Sequence, residues 1–168
     1  MNVEETLFNL KLHGWCICEN LIPAAAVDAV RQSVEATAAD FAQDGANYIN
    51  IPDVLNYNQS FAPYLAHKAI LDPLRALWGP YVRLRTAKGL VMKPGHQRGG
   101  LHADGPYIQG APVRMNAPYQ DFIAKITVVW MLTPFTRENG GTLLVPGSHR
   151  ADDNHTGAAE SPIPHPAE

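Results

Sequence analysis

The residues best suited to chemistry lie in GGLHADGPY, residues 99–107, where His102 and Asp104 stand two apart between turn-forming glycines and a proline. Imidazole nitrogen and carboxylate oxygen are both good ligands for divalent first-row metals. Two histidines and one carboxylate on one face, with open positions opposite, form the donor set of non-haem iron(II) oxygenases. Side chains at i and i+2 of an extended segment point the same way, so His102 and Asp104 are predicted to share a face. Gly99, Gly100 and Gly105 let the backbone turn close to a metal. The same tripeptide also fits a surface loop closed by a local His–Asp hydrogen bond, and H-x-D alone does not choose between the two.

Other chemistries find less support. Cys16 and Cys18 in GWCICEN would share one face of a strand, but a structural zinc site usually takes four ligands and the chain has no further cysteine. They read as two small apolar residues in a strand, and give no disulfide framework. Ser148 and His149 are adjacent in PGSHR, a spacing that seldom makes a nucleophilic triad. No nucleophile elbow and no Gly-rich phosphate loop is present. Met92, Met115 and Met131 read as core or pocket wall, and Tyr107 as pocket lining or barrel rim.

The elements that must position His102 and Asp104 follow from pattern. With 168 residues, 46% apolar and 17% charged, the chain is predicted to be one globular domain with a real core. A net charge of −3 argues against nucleic acid, which needs concentrated Lys and Arg. No apolar run is long enough for a bilayer, and the acidic start lacks signal-peptide character, so no membrane partner and a cytoplasmic location are expected. Residues 13–22 read as a short strand. Residues 23–44 read as a helix that begins near Pro23, carries Val27, Val30, Val34 and Phe41 on one face, and ends by Gly45. Residues 46–60 look loop-like. A second helical region, 61–78, is predicted to break at Asp72-Pro73 and close at Gly79-Pro80. Residues 82–94 and 142–146 are strand-like, KITVVWML at 125–132 is the best strand, and Asn139-Gly140 is a hairpin dipeptide. Helices first and strands afterwards give an α+β order: 1–80 mainly helical, 81–150 a β core with the metal motif, 151–168 a polar tail or loop.

With GWCICENLIP, VMKPGHQRGGLHADGPY and VVWMLTPFTRENGGTLLVPGSHR in this order, the chain resembles the phytanoyl-CoA dioxygenase family, a branch of the iron(II)/2-oxoglutarate-dependent oxygenases. The resemblance implies a double-stranded β-helix, a cupin-like jelly-roll with the N-terminal helices packed outside. It places His102 and Asp104 as the first two iron ligands, facing the barrel mouth. It places Trp130 in the wall of the 2-oxoglutarate pocket and Lys93 near that cosubstrate. The implied reaction takes Fe(II), 2-oxoglutarate and O2, with ascorbate in support, and hydroxylates a small molecule while releasing succinate and CO2.

One step of that scheme falls outside the 168 residues. The resemblance puts a third ligand, a histidine, and an arginine for the distal carboxylate of 2-oxoglutarate on later strands. The expectation is therefore an N-terminal portion of a longer enzyme, with its last strands missing. Such a portion would bind iron weakly, would not turn over 2-oxoglutarate, and would self-associate through an exposed strand edge. His149 matches a family residue that holds a turn, though it stays open as a substitute ligand. His155 and His165 lie in the tail, and His13, His67 and His96 read as surface or loop residues. The rival reading is a non-catalytic β-barrel binding module or an inactive fragment. A zinc hydrolase of cupin-like fold suffers from the same missing ligand.

Overall fold

Val30, Val34 and Ala38 stand four residues apart, so on a helix they form one stripe. In the computed structural model all three are buried on α2 (Ala24–Ala39). The structure describes residues 2–97, 99–102, 123, 125–136 and 139–150. It divides into two units, Met1–Val3 with Cys18–Gln97, and Glu4–Ile17 with Arg98–Glu168.

The first unit holds α2, β1 (Tyr48–Ile51), α3 (Ala62–Leu65), α4 (Lys68–Trp78) and β2 (Gly89–Met92), with 3₁₀ turns at Val54–Asn56 and Gly79–Tyr81. The strands pair antiparallel, with Tyr48 opposite Met92 and Ile51 opposite Gly89. Lys93 N–H donates to Asn47 O (2.9 Å) and Val54 N–H to Ala87 O (2.7 Å), which extends the pairing past both ends. Ile49 and Ile51 alternate inward, as strand geometry requires, and α2 packs on both strands. Ile22, Val54 and Phe61 complete the described core. Gly89 is required by close approach: a Cβ there would stand 2.8 Å from Ile51 Cδ1.

Buried Asn58 ties α2 to the turn that follows β1. Its Nδ2 donates to Ser33 O (2.8 Å), Ser33 Oγ (2.9 Å) and Thr37 Oγ1 (2.8 Å), and its Oδ1 accepts from Ser60 N–H (2.9 Å). On the exposed side of α2, Arg31 pairs with Glu35 (3.0 Å) and Asp28 (3.3 Å). The hydrogen bond to Glu35, then that to Asp28, raises the guanidinium above its ordinary value. Such surface pairs stabilise a helix only slightly.

Several boundaries differ from the sequence reading. Helix α2 stops at Ala39 because its last turn tightens: the N–H groups of Asp40, Phe41 and Ala42 bond carbonyls three residues back. Gly45 therefore lies beyond the helix, and Pro23 caps it from outside. Residues 46–60 contain β1 rather than loop alone. The helical break falls at Ala66-His67, because His67 Nδ1 caps α4 by accepting from Ala69 N–H (3.2 Å), and Pro73 sits inside the helix. Gly79 ends α4 as expected. Residues 13–22 hold no strand. Chain there leaves α1 (Val3–His13), a helix in the second unit whose apolar residues make no buried stripe, since Phe8 and Leu12 are exposed.

The expected β core is the larger difference. Among the described residues the strands are β1 and β2, and the 82–94 prediction shrinks to Gly89–Met92. None of residues 125–132 or 142–146 belongs to a strand, and the described residues form no closed barrel. A strand persists only where a neighbour takes its backbone groups, and Val128, Val129 and Met131 are exposed. No described helix is long and apolar enough to cross a membrane. The predicted tail, 151–168, lies outside the described residues.

Ile51 is 0% exposed, so Ile51→Ala removes core volume that the sheet cannot readily refill. A loss of about 3 kcal/mol in unfolding free energy is expected by urea denaturation. A loss below about 1 kcal/mol would place the core elsewhere.

Candidate functional site

His102 follows Gly99, Gly100 and Leu101 in irregular chain. The residue is exposed, and its Nδ1 lies 3.1 Å from Gly100 O. A carbonyl only accepts, so this contact puts the proton on Nδ1. A backbone carbonyl on one ring nitrogen is the usual way an imidazole is oriented to ligate through the other. Asp104, the second predicted ligand, lies outside the described residues, as do Gly105, Tyr107, Met115, His155 and His165. Among the described residues no group of three or more His, Cys, Asp or Glu could hold a metal. Of the two predicted ligands the described residues include only His102, and they do not by themselves make up an iron site.

Trp130 is half-buried in the second unit. Lys93 belongs to the first unit, exposed just past β2, and its carbonyl accepts from His96 N–H (3.1 Å). His96 in turn stacks on Tyr48, with ring centroids 5.2 Å apart. His67, read as a surface or loop residue, is the cap of α4. Cys16 and Cys18 are half-buried thiols, not joined in a disulfide, and lie in irregular chain rather than in a strand.

The TRENGG stretch, expected as a hairpin turn, is a turn without flanking strands. Thr136 N–H donates to Asn139 Oδ1 (2.7 Å), Asn139 N–H donates to Thr136 Oγ1 (3.3 Å), and Gly141 N–H returns to Thr136 O (2.9 Å). Asn139 Nδ2 also bonds Pro134 O. This reciprocal Thr–Asn bonding makes Asn139 the organiser of the turn, a role that the Asn-Gly dipeptide signalled only as a bend.

The family model of phytanoyl-CoA dioxygenase matches residues 10–166, nearly the whole chain, with H-x-D inside the match. The chain belongs to the phytanoyl-CoA dioxygenase family. It is similar to a protein of Aspergillus fumigatus named dioxygenase af480, with 30% identity over 161 residues, covering 89% of this chain and 50% of the relative. It is also similar to the uncharacterized proteins Mb1539 of Mycobacterium bovis and Rv1501 of Mycobacterium tuberculosis. Each is 35% identical over 77 residues, covering 40% of this chain and 28% of the relative. The chain thus spans about half the length, or less, of these curated relatives. No solved structure matches it.

Asn139→Ala removes both side-chain clamps of the turn. Since the site is exposed, the expected cost is about 1 kcal/mol, read by thermal melting, with faster amide exchange at Thr136. Unchanged exchange at Thr136 would assign the turn to its glycines instead.

Proposed function

We propose that the protein carrying this chain is a non-haem iron(II)/2-oxoglutarate-dependent dioxygenase that hydroxylates a small molecule. The observation that carries the reading is the family match across residues 10–166. Support comes from His102, whose Nδ1 is taken by Gly100 O so that Nε2 is the ligating nitrogen. Asp104 supplies the carboxylate, two residues on. When bound, iron with 2-oxoglutarate and O2 supplies the oxidising power, and succinate and CO2 leave.

The chain's own residues bind and orient. Gly100 O holds the tautomer and the rotation of the His102 ring. Trp130, in the same unit as His102, presents an indole to the cosubstrate. In this reading the domain is a double-stranded β-helix, in which residues 125–132 and 142–146 would pair with neighbouring strands.

Cobalt(II), a spectroscopic stand-in for iron(II), tests the ligands directly through its visible absorption. His102→Ala and Asp104→Ala should each weaken binding roughly tenfold or more, the scale of one lost ligand bond. In the full-length gene product, succinate formation from 2-oxoglutarate with iron(II) and ascorbate should vanish in His102→Ala. Cobalt binding unchanged by both substitutions would sink the metal reading and leave a non-catalytic binding module.

A further inference from the structure

His149 has a use other than metal ligation. Helix α1 ends at His13, and the last four carbonyls of any helix lack partners within it. Leu10 O takes one more i→i−4 bond of the ladder, and two of the other three find donors in distant chain. Leu10 O accepts from Gly14 N–H at 3.1 Å, and His13 O accepts from Gly147 N–H at 2.9 Å. Lys11 O lies 3.1 Å from His149 Nε2. Two of these donors come from the PGSHR turn, more than 130 residues later in the sequence and in the same unit.

The chemistry of the contact fixes the state of the ring. A carbonyl oxygen cannot donate, so His149 Nε2 carries the proton in this contact. The opposite edge of the ring lies on Gly14. A Cβ built on Gly14 would stand 2.5 Å from His149 Nδ1 and 2.8 Å from its Cγ, so a methyl there would displace the ring from its seat. Gly14 also has φ +85°, which disfavours a side chain independently. The turn is shaped to deliver the ring: Gly147 has φ +77°, Ser148 N–H returns to Val145 O (3.1 Å), and Arg150 N–H to Gly147 O (3.1 Å).

We propose that His149 is the clasp of this unit. Its imidazole, seated over Gly14, ties the C-terminal end of α1 to the PGSHR turn, and Gly14 is glycine because the ring fills the space of a side chain. Nε2 is bonded to Lys11 O and Nδ1 is set against Gly14, so in this seat His149 acts as a positioning residue and not as the third ligand. The inference is independent of the proposed oxygenase activity.

The test uses the full chain and reads backbone amide exchange together with thermal melting. In His149→Ala, exchange at the Gly147 amide should speed up about fivefold, the factor that goes with one ordinary hydrogen bond. The amides of β1 and β2 should keep their protection. His149→Gln, whose side-chain amide donates to the same carbonyl, should restore most of the protection at Gly147. Gly14→Ala should lower the melting temperature by about 4 °C or more, through both the left-handed φ and the collision. Combined with His149→Ala it should lose less than the sum, because the ring that collides is gone. Strict additivity in that pair, or unaltered exchange at Gly147 in His149→Ala, would overturn the clasp. If Gly14→Ala does not fold, exchange in His149→Ala and His149→Gln decides the matter.

Discussion

Ile51 faces a glycine across the β1–β2 ladder, and that pairing sets the first unit. In this register a Cβ at position 89 would stand 2.8 Å from Ile51 Cδ1. A slip of one residue within β1 would turn Ile49 and Ile51 away from α2, because side chains alternate with a period of two. Sterics and burial therefore select one alignment. The stripe of Val30, Val34 and Ala38 needs that alignment, since its apolar surface is covered by α2's packing on these two strands. Hydrogen bonds at Lys93 and Val54 hold the ladder at both ends, so the chain that runs on toward His102 starts from a fixed point.

What could be read in the sequence was what local periodicity or local sterics decides. Val30 and Val34 on the buried face of α2 followed from spacing, whereas Val27 is half-buried, Phe41 lies past the helix and Ala38 completes the face; the stop at Gly79 followed from backbone freedom. What could not be read depended on contacts between distant residues or on a side chain's choice of partner. The break before α4 went to His67 because an imidazole nitrogen took the Ala69 amide, a cap that outweighed the Asp72-Pro73 signal. Helix α1 escaped notice because it has no apolar stripe. Strand propensity at 125–132 describes a side-chain set that fits a pleated surface. It does not supply the neighbouring strand that makes the surface.

The candidate site divides in the same way. Residue type and spacing made His102 and Asp104 candidates, since donor chemistry is local, and the resemblance rather than H-x-D alone favoured the metal reading. The tautomer of His102 needed the Gly100 carbonyl, which is two residues away but depends on how the backbone turns. Lys93 and Trp130 were reachable only through resemblance, because nothing local marks a lysine or a tryptophan as a pocket residue. For His149 the neighbouring residues pointed to a turn, and the partner that gives it a purpose is Lys11, 138 positions earlier.

Helix α1 shows why such a distant contact is needed. Its buried residue is a threonine, Thr6, while Phe8 and Leu12 are exposed, so apolar packing holds it weakly. Glu4 and Glu5 in its first turn and Lys11 and His13 in its last complement the helix dipole, a contribution that water and salt reduce. An eleven-residue helix with those means is marginal in isolation. Its C-terminal carbonyls are the strongest handles it offers, and the PGSHR turn supplies a backbone donor and an imidazole donor to them. The family match starts at residue 10, so it takes in the carbonyl-bearing end of α1, Gly14 and His149 together, and leaves out the helix's acidic start. The end of α1 that the turn grips is thus the part that shares its matched segment with the metal motif.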